Sequence, residues 1–178
     1  MELVLGGSYQ GKLEYVQMLT GYTTDHVYDA SSFDDSIKNI MLMHNSKSGI
    51  NEDGNSKASD YDITTLDDKT LIEKTLIDKA LIDEIMIDEV LKKPILNHFH
   101  LLIKGLLDLD IDPYPVVNTI LSLQKDIIII SDDIGSGIVP LLASDRKYRE
   151  TLGRILCQLA QEAMRVHRVI LGIGTIIK

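Results

Sequence analysis

Gly6, Gly11 and Lys12 carry the most readable chemistry in the chain, within Glu2-Leu3-Val4-Leu5-Gly6-Gly7-Ser8-Tyr9-Gln10-Gly11-Lys12-Leu13. Their spacing is that of a phosphate-binding loop, Gly-x-x-x-x-Gly-Lys-Ser/Thr. Glycines at both ends let the backbone turn so that successive N–H groups point into one concavity. A helix starting behind the loop adds partial positive charge. Lys12 can reach the outer phosphates of a nucleoside triphosphate. The expected nucleotide-binding set is therefore Gly6, Gly7, Ser8, Tyr9, Gln10, Gly11, Lys12 and Leu13. Leu13 departs from the pattern, because the hydroxyl that normally meets Mg²⁺ is missing there. The bland alternative is a glycine-rich turn that binds nothing.

Such a loop needs a strand before it and a helix after it. Leu3-Val4-Leu5 is a short apolar run suited to a buried strand, and Leu13, Val16, Met18 and Leu19 continue in a helical pattern that Gly21 would cap. His26-Val27-Tyr28 is a candidate second strand. Ser31-Ser32-Phe33-Asp34-Asp35 has the hydroxyl cap and early acids of a helix N-terminus. Ile37, Ile40, Met41 and His44 follow at helical spacing, so His44 falls on or beside the apolar face, where a lone histidine is ordinarily structural. Residues 45–65 are rich in turn formers. From about 66 to 91 runs a pentad repeat: Leu71-Ile72-Glu73-Lys74-Thr75, Leu76-Ile77-Asp78-Lys79-Ala80 and their successors. Five residues advance an α-helix by a net angle of about 140°, so the apolar pairs spread around the axis. The stretch 45–92 thus reads as an insertion, packed loosely outside the core of a single domain spanning 1–178.

Pro113 and Pro115 bracket an expected turn, with a helix over Val116 to Leu123. Asp126-Ile127-Ile128-Ile129-Ile130-Ser131 is the clearest strand, apolar enough to be buried on both faces. Residues 144–166 read as a long amphipathic helix and Val169-Ile170-Leu171-Gly172-Ile173 as a last strand. Strands alternating with helices, behind a phosphate loop, predict an α/β fold: a P-loop NTPase-like, doubly wound, mainly parallel sheet in three layers. Segments 2–5 and 126–131 are expected to be central neighbours. His98 and His100, two apart on an expected strand, would share a face; a metal there is one reading and ordinary polar positions the other.

The chain has 178 residues and a formal net charge of −9, which disfavours sequence-independent nucleic-acid binding. One cysteine excludes an internal disulfide and a cysteine-based zinc site. No apolar run approaches the roughly 20 residues of a membrane helix. A cytoplasmic setting is expected.

Three further segments carry a family resemblance. Ile130-Ser131-Asp132-Asp133-Ile134-Gly135-Ser136-Gly137-Ile138-Val139-Pro140 resembles the signature "(V/I)SNEVGxGIVP", and Arg146-Lys147-Tyr148-Arg149-Glu150-Thr151-Leu152-Gly153-Arg154 resembles "RRFRDxxGR". Ile40-Met41-Leu42-Met43-His44-Asn45 falls where the same family has "RIxxHR". The family is the bifunctional adenosylcobinamide kinase/adenosylcobinamide-phosphate guanylyltransferase of cobalamin biosynthesis, whose loop reads "GGxxSGKS". The resemblance covers about 1–48 and 94–178.

That resemblance implies two reactions, with GTP or ATP as nucleotide, Mg²⁺ and adenosylcobinamide. A triphosphate on the loop gives its γ-phosphate to the aminopropanol hydroxyl, with Lys12 neutralising phosphate charge. His44 attacks the α-phosphate of GTP, and the guanylyl group passes to cobinamide phosphate. A homo-oligomer, a trimer, is also implied. Departures gather at the chemistry: Leu13 replaces the hydroxyl, Asn97 falls at the family's Walker B aspartate, and Ile40 and Asn45 replace the arginines flanking the histidine. Asp133 stands for the family's glutamate and is the remaining metal candidate. The alternatives are a paralogue that binds nucleotide without turnover and a structural or regulatory P-loop-like domain.

Overall fold

The computed structural model describes residues 1–33, 87–135 and 140–178. His44, the helix leading to it, and most of the pentad repeat lie outside the described residues. The elements that follow are β1 (Glu2–Gly6), α1 (Lys12–Thr20), β2 (Val27–Asp29), β3 (Ile95–Asn97), α2 (Phe99–Asp108), α3 (Pro113–Leu123), β4 (Ile128–Asp132), α4 (Ala143–Glu162), β5 (Arg165–Ile170) and β6 (Ile173–Ile176). The strands form one sheet in the order β2-β3-β4-β1-β5-β6. Every pairing is parallel except β5–β6. β1 lies between β4 and β5, so the two strongest strand signals in the sequence are indeed central neighbours.

Alternation along these strands divides the core into two layers. Leu3, Leu96, Ile127, Ile129 and Val166 face α2, α3 and α4, where they meet Phe99, Leu102, Leu106, Val116, Ile120, Leu152, Ile155 and Leu159. Val4, Ile95, Ile128, Ile130 and Val169 face the other way, onto Val16 of α1, with Leu13 and Tyr15 packed alongside. A strand buried on both faces needs apolar residues at successive positions, which explains the unbroken Ile127–Ile130 run. The result is the expected three layers.

One polar group penetrates the α1 layer. His167 of β5 is 1% exposed, with Nδ1 3.0 Å from the Tyr15 hydroxyl and Nε2 3.1 Å from Glu2 Oε2. Both ring nitrogens are thus satisfied, as burial requires.

Four local expectations need correction. First, the long helix ends at Glu162 and not near 166, because Arg165–Val169 pair with Glu2–Gly6 and the ladder outweighs helical periodicity. Second, the last strand is a hairpin. Leu171 and Gly172 both have positive φ (52° and 77°) and return the chain into β6. Two left-handed residues in a row form the tight turn that suits the twist of antiparallel strands. Third, Pro113 opens α3 where a turn was expected, with the Asp112 carboxylate accepting from the Tyr114 N–H at 3.1 Å. Proline is well suited there, since the first helical N–H has no partner within the helix. Fourth, the end of the pentad repeat does not stay outside the core: Val90 is fully buried within it and Ile87 packs against it.

Candidate functional site

The carboxyl ends of the parallel strands converge at one edge of the sheet. Gly6 pairs with Asp132, and Asp29 with Asn97. Loop 7–11 and the start of α1 stand over that edge and enclose a pocket of about 590 Å³. In α/β sheets this crevice is the ordinary place for a ligand. A second cleft, of about 630 Å³, runs along α4 and is lined by Arg146, Arg149 and Arg154 among others, away from the loop.

The loop is shaped by close approach and by left-handed backbone. A Cβ on Gly6 would lie 2.5 Å from the Val169 carbonyl oxygen, so only glycine lets β1 and β5 approach as they do. Gly11 caps α1 at φ 72°, and Tyr9 is also left-handed at φ 59° with its ring exposed. Gln10 fastens the loop to the β5–β6 turn. Its side-chain oxygen accepts from the Leu171 N–H at 2.6 Å and its carbonyl from the Gly172 N–H at 2.8 Å.

Lys12 is buried at the foot of the loop. Its ammonium donates to the Gly7 carbonyl at 2.8 Å and pairs with Asp132 Oδ1 at 2.5 Å. The other oxygen of Asp132 accepts from the Ser8 hydroxyl at 2.5 Å. Burial alone would raise the Asp132 pKa, but the hydrogen bonds from Lys12 and Ser8 outweigh it and hold the carboxyl below its ordinary range. His100 stands behind this pair. Its Nδ1 accepts the Asp132 N–H at 3.2 Å, and its Nε2 lies 3.7 Å from Asp132 Oδ2. Burial pushes His100 below the usual imidazole range, with Asp132 pulling the other way.

Opposite the loop, Asp29 ends β2. Its Oδ1 is 2.7 Å from His98 Nδ1, its Oδ2 accepts from the Asn97 amide at 3.2 Å, and the Ser31 N–H donates to it at 2.9 Å. Burial acts to raise its pKa, yet the hydrogen bonds from His98 and Ser31 prevail and lower it to about 2. Strand β3 stops at Asn97, so His98 and His100 do not alternate along one strand face. His98 is left-handed (φ 54°) just before α2, and His100 lies within α2. Their rings meet edge to face with centroids 5.8 Å apart.

Of the residues singled out from the sequence, Ser8 to Leu13 line the pocket. Gly6 and Gly7 lie at the strand end beneath it. Asp133 does not line it. Its carboxylate accepts from the Gly135 N–H at 3.1 Å and faces Arg168 at 3.8 Å, while Asp132 is the acid at the loop. Leu13 lies in the pocket wall and against the core layer beneath α1. Asp132 and Asp29 are not singled out by the sequence, and His98 only with His100 as a possible metal pair. The available signal was position, since polar residues ending parallel strands gather at the crevice. Among the described residues, no three His, Cys, Asp or Glu side chains are grouped to hold a metal ion. No described helix is long and apolar enough to cross a membrane.

A mainly parallel sheet with a glycine loop and a buried lysine between its first strand and first helix defines a P-loop NTPase-like α/β domain. Residues 2–177 match the CobU family, described as cobinamide kinase / cobinamide phosphate guanyltransferase. The chain belongs to that family of cobalamin biosynthesis, and the match runs through the repeat region as well as both flanking segments. No curated protein matches the chain.

Proposed function

We propose that this chain is a working member of its family: it transfers a phosphoryl group to cobinamide from a triphosphate, GTP or ATP, held on loop 6–13, and then a guanylyl group from GTP. The observation that carries the reading is Lys12, whose ammonium is fixed at the foot of the loop by Gly7 and Asp132. A cation placed there neutralises charge on the transferring phosphate, and positioning with charge neutralisation supplies most of phosphoryl-transfer catalysis. His44 is the proposed guanylyl acceptor, through the register of its motif.

The donor set also fits Mg²⁺, which binds through one or two carboxylates, waters and the substrate's own phosphates. Of the carboxylates lining the pocket, Asp29, Asp132 and Glu14, Asp132 is the one bonded to the loop, through Lys12 and Ser8, and we assign the cation to it in preference to Asp133. When bound, the ion would spread the phosphate charge. Lys12 must leave Asp132 for a phosphate oxygen, and Ser8 and the loop N–H groups would orient the chain of phosphates.

The test is incubation with α-labelled GTP and Mg²⁺. An acid-labile phosphoramidate is expected, lost in His44→Ala and strongly weakened in Lys12→Ala. Restoring Leu13→Ser with Asn97→Asp should speed labelling more than either change alone, because groups of one site act non-additively. GTP binding without label in the wild type and in the double variant would leave a nucleotide binder without turnover. Absence of binding as well would leave a structural domain.

A further inference from the structure

The pocket holds a histidine that neither reaction above uses. We propose that His98, oriented by Asp29, is the general base that takes the proton from the acceptor hydroxyl during phosphoryl transfer. This rests on the kinase reading of the same pocket.

The backbone places His98 at a cost. Its φ of 54° is left-handed, a conformation that residues with a Cβ adopt uncommonly. Such strain gathers at functional sites, where the surroundings impose it. What it achieves here is an imidazole on the pocket wall, beside the Asp29 carboxylate at 2.7 Å. At that separation Nδ1 donates to the carboxylate. Asp29 is itself held by the Asn97 amide and the Ser31 N–H, so it cannot swing away. The Asn97 amide nitrogen also lies 3.1 Å from Nδ1, but a carboxylate can only accept, so the shorter contact to Asp29 puts the proton on Nδ1 and leaves the lone pair on Nε2. Among the described residues nothing hydrogen-bonds Nε2, and the side chain is 40% exposed.

The other titratable groups facing this cavity are already engaged or poorly suited. Lys12 is committed to phosphate, and Asp132 to the cation and the Ser8 hydroxyl. His100 uses its Nδ1 lone pair on the Asp132 N–H. Glu14, in the first turn of α1, and Tyr9 are exposed, and no side-chain hydrogen bond among the described residues orients either of them. Among the described residues lining the cavity, His98 is the one that presents an oriented lone pair without a partner. In the reaction, the acceptor oxygen bonds to the γ-phosphorus as the bond from that phosphorus to the β-phosphate oxygen breaks. The leaving electron pair stays on the nucleoside diphosphate. The hydroxyl proton moves to Nε2, and the imidazolium pairs with Asp29 until water removes the proton.

The experiment uses the full chain with Mg²⁺, triphosphate and adenosylcobinamide. His98→Asn is the informative variant, because asparagine tolerates left-handed backbone. Phosphoryl transfer should fall by about 10²–10⁴-fold in kcat, with little change in KM. Nucleotide binding, read by calorimetry, should change far less than transfer. Asp29→Asn should lower kcat in the same direction. Transfer in His98→Asn within threefold of wild type overturns the proposal and leaves the kinase reading standing. So does joint loss of transfer, binding and labelling, which would mark a structural role. A guanylyl label that survives His44→Ala and vanishes in His98→Asn would make His98 a nucleophile, not a base. A wild-type chain that transfers no phosphate fails the kinase reading, and the proposal with it.

Discussion

Asp29 and His100 both line the pocket and respond to acid in the same direction. Asp29 has a folded pKa of about 2 against 3.8. Its hydrogen bonds therefore stabilise the fold fully above pH 3.8 and lose that effect as pH falls toward 2. Because the carboxylate is 42% exposed, solvent reduces the size of the effect. His100 is held below its ordinary 6.5 by burial, so the unfolded chain takes up a proton first. Stability should decline as pH drops below 6.5, until the folded imidazole is also protonated. Denaturant midpoints at pH 7.5 and 5.5 should differ more for wild type than for His100→Asn. The Lys12–Asp132 pair is almost dry, at 8% and 12% exposure. A cycle of Lys12→Met and Asp132→Asn should give a favourable coupling of about 1–3 kcal/mol by chemical denaturation. The sequence shows two acids ending β4 and not which one meets the loop. A one-residue offset along a pleated strand reverses facing, and only the register Gly6↔Asp132 settles it.

At the scale of elements, glycine contacts hold the site's geometry. Gly6→Ala would drive a methyl against the Val169 carbonyl at 2.5 Å and should destabilise by about 1–3 kcal/mol, with loss of nucleotide binding. A Cβ on Gly174 would overlap the Tyr15 ring, with contacts from 2.1 Å. Gly174→Ala should cost a similar amount, visible as a lower thermal midpoint, because Tyr15 must leave His167. Strands β1 and β4 are legible in sequence since their apolar runs admit only a doubly buried strand. The end of α4 is not, because Ala163 and Val166 suit both periods and pairing with β1 decides. The turn at Leu171–Gly172 is signalled by one glycine only, and a leucine beside it hides a left-handed residue.

Over the whole molecule, the glycine loop, the β1–β4 neighbourhood and the layers are legible in the sequence, whereas the full strand order and the convergence of Asp29, His98 and Asp132 are not, because that convergence joins segments far apart in the chain. The insertion remains our reading of about 45–92, with its C-terminal limit moved inward. Removing 50–84 with a short linker should leave cooperative unfolding, whereas Val90→Ala should cost about 1–2.5 kcal/mol, Val90 being fully buried. Self-association, expected from the family to be trimeric, is checked by sedimentation; a monomer at tens of micromolar would count against it. The link from Gln10 to Leu171 and Gly172 has a further consequence. It ties a segment near one chain end to the hairpin near the other, so the C-terminal hairpin acts as a mechanical clamp on the phosphate loop. Two amides, those of Leu171 and Gly172, then become built-in reporters. Their hydrogen exchange should slow when a triphosphate stiffens the loop, and Gln10→Ala should speed it even with the pocket empty.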